Sequence, residues 1–256
     1  MTEPEAKKPV EKIQESAPQV ANAETTSHPT RRYRTYLFQF FLIVTTGGFA
    51  MLTLLVKTIP SFPIDLAITR ALQTINFPFF DALMRLISWP GFSPQSYLLS
   101  AVVVLVIFLF GLRWEAIAAF VAALLPSVVN VLVKDLVQRP RPTMDLVHVF
   151  RILNSYSFPS GHVMFYVGFF GFLWFLAFTL LKKSWKRTAL LIMYGVLIVL
   201  VGPSRIYLGQ HWASDVLGAY LLGSLTLVAV LQFYRWGKKR FFVHQPVAAQ
   251  ETQSAD

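Results

Sequence analysis

Apolar residues run in long unbroken blocks along this chain, and the polar ones gather between them. Residues 35–56, 116–133, 163–181, 188–204 and 216–234 carry no charged side chain. Residues 86–112 carry none either, although Trp89-Pro90-Gly91-Phe92-Ser93-Pro94 at their start reads as a turn. A helix that crosses a bilayer needs about 20 mostly apolar residues. The pattern therefore predicts six spans, at about 35–57, 96–112, 114–137, 162–181, 187–206 and 211–234. Segment 58–95 has a different texture. Ile64, Ala67, Ile68, Ala71, Leu72 and Ile75 recur at helical spacing, and Phe80, Leu83, Met84, Leu86 and Ile87 form a second such set. Two short amphipathic helices at the membrane interface are expected there, either as a packing connector or as a lip over a lipid entrance. The fold class expected is all-α: a six-transmembrane-helix bundle with short interfacial helices between spans one and two.

Composition supports this. Hydrophobic residues make up 55% of the 256 and charged residues only 14%, against about 25% charged in ordinary soluble domains. A soluble protein of this size cannot cover six all-apolar helices. Residues 1–30 are polar and aperiodic and read as a disordered cytoplasmic tail. Residues 31–240 form the membrane domain, and 241–256 a second cytoplasmic tail.

The formal net charge of +10 does not point to nucleic acid, because of where the charges sit. Arg31, Arg32 and Arg34 precede the first span. Lys182, Lys183, Lys186 and Arg187 lie between two spans, and Arg235, Lys238, Lys239 and Arg240 follow the last. With Arg113 they all fall on one side of a six-span topology. The positive-inside rule makes that side, and both termini, cytoplasmic, with anionic membrane lipids as neighbours. The connections 58–95, 138–161 and 206–210 then face outward. The chain has no cysteine, which excludes thiolate nucleophiles and cysteine-ligated metals.

The outward connections hold ionisable groups, and such groups at membrane depth point to function. Lys134, Arg141 and Arg205 bring three cations suited to a phosphate, with arginine able to fork two oxygens. Ser160 and Gly161 open a helix whose free N–H groups favour an anion. His211 and Asp215 stand at i and i+4 on one helix face. A carboxylate there can hold the imidazole Nδ1–H and leave Nε2 as a nucleophile. His162 is placed to protonate a leaving oxygen.

These residues form three motifs: Lys134 to Arg141-Pro142, Pro159-Ser160-Gly161-His162, and Ser204-Arg205 with His211 and Asp215. In residue type and internal spacing they resemble the type 2 phosphatidic acid phosphatase superfamily, which also contains vanadium haloperoxidases and bacterial acid phosphatases. The resemblance covers about residues 95–235. It implies that His211 forms a phosphohistidine, that His162 is the general acid and that Asp215 orients His211. Lys134, Arg141, Ser160, Gly161 and Arg205 then hold the phosphate oxygens. Arg139 falls off the family spacing and is read as a rim charge. Asp135 is read as pairing with a nearby basic residue, and His148 and Arg151 as meeting a headgroup.

The expected activity is that of an integral membrane lipid phosphatase, metal-independent and without cofactor, acting at the periplasmic face of the inner membrane. No obligatory protein partner is inferred. The candidate substrates are phosphatidylglycerol phosphate, undecaprenyl diphosphate and phosphatidic acid. A lipid phosphotransferase and a lipid A phosphatase share every motif. A non-catalytic transporter would use the cations but has no need of an oriented nucleophile.

Overall fold

The computed structural model describes residues 28–242 apart from 60 and 76, and among these there is no β-strand. Eight helices follow one another: α1 (His28–Thr58), α2 (Pro63–Gln73), α3 (Pro78–Ser88), α4 (Gln95–Leu109), α5 (Arg113–Val137), α6 (Gly161–Leu180), α7 (Trp185–Tyr207) and α8 (Ala213–Phe242). Both expected tails lie almost wholly outside the described residues. The first 44 residues form a unit of their own. Its described part is the beginning of α1, where Tyr36, Phe40 and Ile43 are exposed.

Five helices, α1, α5, α6, α7 and α8, are each long and apolar enough to cross a membrane. The chain is thus a multi-pass membrane protein. The expected second span departs from this pattern. Helix α4 has 15 residues, about 22 Å of rise, against a hydrocarbon core of about 30 Å. It reaches spanning length only together with residues Pro78–Gly91, and the two pieces meet at a bend of 61°. The break falls at the Trp-Pro-Gly-Phe-Ser-Pro turn, where proline withholds a backbone donor.

Helix α6 is the central element. Val163 through Leu173 are all buried along it, including a π-helical turn at Tyr166–Phe170. A π-turn leaves one backbone bond misaligned and rotates the following side chains. Met84 and Ile87 of α3, Val201 and Ile206 of α7, and Val216 and Ala219 of α8 close around α6. Ala118, Ala119 and Ala122 of α5 sit fully buried beside Phe172 and Val230. Small side chains let helix backbones approach closely, which is how helices associate where lipid offers no hydrophobic drive. The outward faces stay apolar: Leu105, Leu109, Phe120, Leu132, Ile192 and Val199 are all exposed. So much exposed apolar surface suits lipid and not water.

Short connections make α4 and α5, α6 and α7, and α7 and α8 antiparallel neighbours. The end of α5 and the beginnings of α6 and α8 are thereby brought to one end of the bundle. The lysine and arginine clusters at 182–187 and 235–240 stand at the other. Helices α2 and α3 match the two amphipathic stretches of the sequence. They pack against α7, with Asp65, Thr69, Met84, Ile87 and Ser88 buried.

Candidate active site

Helix α5 ends in Gln138, whose left-handed backbone (φ 55°) turns the chain sharply after Lys134 has accepted the capping bond at its carbonyl. An αL residue at this point is a common helix stop, and here it sends the next residues across the end of the bundle. Ser160 caps α6 in extended conformation. Asn130 of α5 donates to the Pro159 carbonyl at 2.9 Å and fixes that entry. Gly161 lacks a side chain because Asn130 Oδ1 would lie 3.0 Å from its Cβ. Ser204, Arg205, His211 and Asp215 come from the α7–α8 corner, where all four are buried.

These elements wall a cavity of about 1050 Å³, at the upper end of the range for ligand sites. Lys134, Arg141, Gly161, His162, Arg205 and His211 line one end of it. Ser160 and Asp215 sit just behind the wall, the Ser160 N–H donating to the Asp215 carbonyl at 3.3 Å. The three motifs, whose lining residues Lys134 and His211 are 77 positions apart, therefore share one pocket. From this polar end the cavity runs between α4 and α5 past Ser100, Ala123 and Leu105 to Phe108 and Ala116.

The cations are not equivalent. Arg141 has all five of its N–H groups placed: on the Ser155 carbonyl and hydroxyl, the Tyr156 carbonyl, the Gln210 carbonyl and His211 Nε2. It builds the wall, and Lys134 likewise donates to the Tyr156 carbonyl. Arg205 uses Nη1 on Ser88 Oγ at 3.1 Å. Its Nε and Nη2 are buried and have no partner, as are Ser160 Oγ and His162 Nε2. Buried polar atoms are almost always bonded, so this group of donors, gathered at one pocket, suits an anion. Arg205 presents the open fork.

The His211 ring sits with Nε2 at 3.2 Å from Arg141 Nη1 and Nδ1 at 3.5 Å from Asp215 Oδ2. An arginine can only donate, so Nε2 is an acceptor and the ring proton lies on Nδ1. The Asp215 contact is longer than a hydrogen bond, and the Ser157 backbone carbonyl is the other acceptor facing the ring. Burial, then the charges of Arg141, Lys134 and Arg205, hold the His211 imidazole well below its ordinary pKa. The ring is therefore neutral at neutral pH. Arg141 is itself drawn down to about 10, by burial first, with Asp215 opposing.

Arg139 corrects the sequence reading. It is not a rim charge: it is 1% exposed and bridges Asp215 Oδ1 at 2.5 Å and Asp65 Oδ2 at 2.9 Å. Asp65, Ser88, Asn130 and Ser157 also touch the site residues, and no motif flagged them. Asp65 and Asn130 were visible only as polar residues within apolar helical stretches. Gly91 and Phe92 press on His162, the two rings of Phe92 and His162 lying edge to face at 4.6 Å. Arg151 lines the cavity, and Asp135 is exposed, with Lys134 as a nearby opposite charge.

Comparison with known proteins fits this geometry. The PAP2 superfamily profile matches residues 114–239. A phosphatidylglycerophosphatase B of Bacillus subtilis is 34% identical over 201 residues, covering 77% of this chain and 92% of that protein. The chain belongs to the PAP2 superfamily. A crystal structure of a transmembrane PAP2-type phosphatidylglycerolphosphate phosphatase from the same organism superposes with a TM-score of 0.69 at 28% identity, over 79% of this chain and 99% of that one. A putative undecaprenyl-diphosphatase of Escherichia coli is 39% identical over 69 residues, 27% of this chain and 30% of that protein. The phosphatases among these relatives support a phosphate-ester hydrolase.

Proposed function

We propose that this PAP2 membrane phosphatase removes phosphate from a lipid through a phosphohistidine on His211, without a metal, at the outer face of the inner membrane. The observation that carries the reading is the set of four unpartnered polar atoms on Arg205, Ser160 and His162 beside a neutral His211. A phosphate group there takes the Arg205 fork, the Ser160 hydroxyl and the N–H groups that open α6.

In the first step His211 Nε2 attacks phosphorus and the P–O bond to the lipid breaks. His162 gives its proton to the departing oxygen. The phosphohistidine carries positive charge on the ring, which Asp215 offsets. Water then attacks phosphorus, His162 takes its proton, and the P–N bond breaks to release inorganic phosphate. Phosphoryl transfer asks mainly for positioning and charge stabilisation. Lys134, Arg141 and Arg205 supply the charge that a divalent cation supplies elsewhere.

The apolar arm between α4 and α5 fits a lipid chain. It follows a helix of about 22 Å, more than one leaflet's depth of about 15 Å. Phosphatidylglycerol phosphate leads among the substrates because the relative matched over most of its length is a phosphatidylglycerophosphatase. Undecaprenyl diphosphate follows, from a shorter match. The outer-face assignment rests on the basic clusters at the other end of the bundle, which the positive-inside rule makes cytoplasmic.

The test is phosphate release by detergent-purified protein from a panel of lipid phosphates, in excess chelator. Turnover with phosphatidylglycerol phosphate foremost is expected. No turnover on any lipid phosphate, or loss of turnover on adding chelator, contradicts the proposal.

A further inference from the structure

Asp65 lies in the first turn of α2, outside every motif, and is 1% exposed. Its Oδ1 accepts from the Ser214 N–H at 2.8 Å. Its Oδ2 accepts from Ser214 Oγ at 2.6 Å and from Arg139 Nη2 at 2.9 Å. Arg139 in turn gives Nη1 to Ser214 Oγ at 2.7 Å and to Asp215 Oδ1 at 2.5 Å. The other Asp215 oxygen takes the Trp212 N–H at 2.8 Å and the Ser157 hydroxyl, and faces His211.

We infer that Asp65 is a positioning residue for the reaction, acting on Asp215 through Arg139. This rests on the role proposed for His211. The physical reason is charge. The Trp212 N–H and the Ser157 hydroxyl fix Asp215 on one side; Arg139 on the other would, alone, cancel the carboxylate's charge at short range in a site of low dielectric. A second carboxylate on the far side of the guanidinium divides its charge. The buried triad Asp65–Arg139–Asp215 keeps one net negative charge beside a ring that becomes positive on phosphorylation. That negative charge works against the three cations facing His211: Lys134 on α5, Arg141 on the loop and Arg205 on α7; His162 on α6 is the remaining titratable neighbour. Nothing from α2 enters the cavity, so Asp65 acts without touching substrate.

Two variants of the full chain separate this from a purely structural ion pair. Asp65→Asn keeps the shape and the bond from the Ser214 N–H, but its amide NH2 cannot accept from Arg139 or the Ser214 hydroxyl, and Arg139 is left to neutralise Asp215. Its kcat is expected to fall at least about tenfold, with KM within about twofold. The double variant Asp65→Asn with Arg139→Gln removes one charge of each sign and restores the net charge of the group. Its kcat is expected to return to within about threefold of wild type. Rates are taken per folded protein, with the thermal midpoint as the check. An unchanged kcat in Asp65→Asn overturns the inference, as does a double variant as slow as the single. Where the single variant does not fold, the double decides: a loss above about tenfold overturns the inference. His211→Ala is run alongside. If that variant retains wild-type turnover, it is the phosphohistidine reading that fails; if it is dead while Asp65→Asn is fully active, only the present inference fails.

Discussion

Gly91 and His162 are in such close contact that a Cβ on the glycine would lie 2.4 Å from the histidine Cδ2. The His162 ring makes no hydrogen bond. It is held by this missing side chain and by the edge of Phe92. Gly91→Ala is therefore expected to push aside the ring proposed to protonate the leaving group. The loss expected is about 10²-fold in kcat, with the protein still inserted and monodisperse. The measurement is single-turnover phosphate release against the thermal midpoint; full activity in this variant would show that the ring's position does not matter.

His211→Ala is expected to reduce turnover by about 10³-fold or more, as loss of a nucleophile does. Trapping of radiolabelled phosphate on the acid-quenched wild-type chain, absent from the variant, checks the covalent step. Asp215→Asn is expected to keep the fold and slow both steps by about tenfold or more, because the charge opposite Nδ1 is gone.

The acid limb of the rate profile should lie low. In the proposed mechanism the neutral His211 ring attacks, and burial with three neighbouring cations depresses its pKa well below 6.5. A depressed pKa means the neutral form persists to more acidic pH than in free imidazole. kcat/KM, corrected for titration of the substrate, is expected to stay level as pH falls through 6.5 and to drop only well below it. A midpoint at or above 6.5 would contradict the burial and charge argument.

Arg141 and Arg205 are expected to fail differently. Arg205 has an open fork, so Arg205→Lys is expected to weaken phosphate binding by about tenfold with little change in stability. Arg141 has every donor committed to the wall. Arg141→Lys drops several of those bonds, at about 1 kcal/mol each. A fall of roughly 5 °C or more in the thermal midpoint follows. Inhibition by inorganic phosphate and differential scanning fluorimetry separate the two.

The apolar arm can be blocked without touching the polar end. Ala123→Trp fills the cavity between α4 and α5. It is expected to raise KM for a long-chain lipid phosphate by about tenfold, while a short-chain water-soluble phosphate ester is turned over as before. Equal effects on both substrates would place the lipid chain elsewhere.

Much of this was legible in the chain itself. Blocks of uncharged residues located five full spans, because a helix without water must keep its polar groups inside and its surface apolar. The short interfacial helices were visible as periodic apolar stretches. The bend where α3 meets α4 was not legible, since hydropathy does not register a break at a Pro-Gly turn. Arg139 was misread because spacing along the sequence says nothing about a partner 74 residues away.

The sequence by itself determined the class of fold, the end of the bundle where the ionisable groups collect, and the eight residues proposed for phosphate chemistry. These follow from composition and spacing, which are properties of neighbouring residues. Only the tertiary structure decided which of three equivalent-looking cations keeps its donors open, which carboxylate balances the buried guanidinium, and what holds the second imidazole in place. Those are matters of burial and pairing between distant segments, where the cost of an unsatisfied charge or donor depends on the groups packed around it.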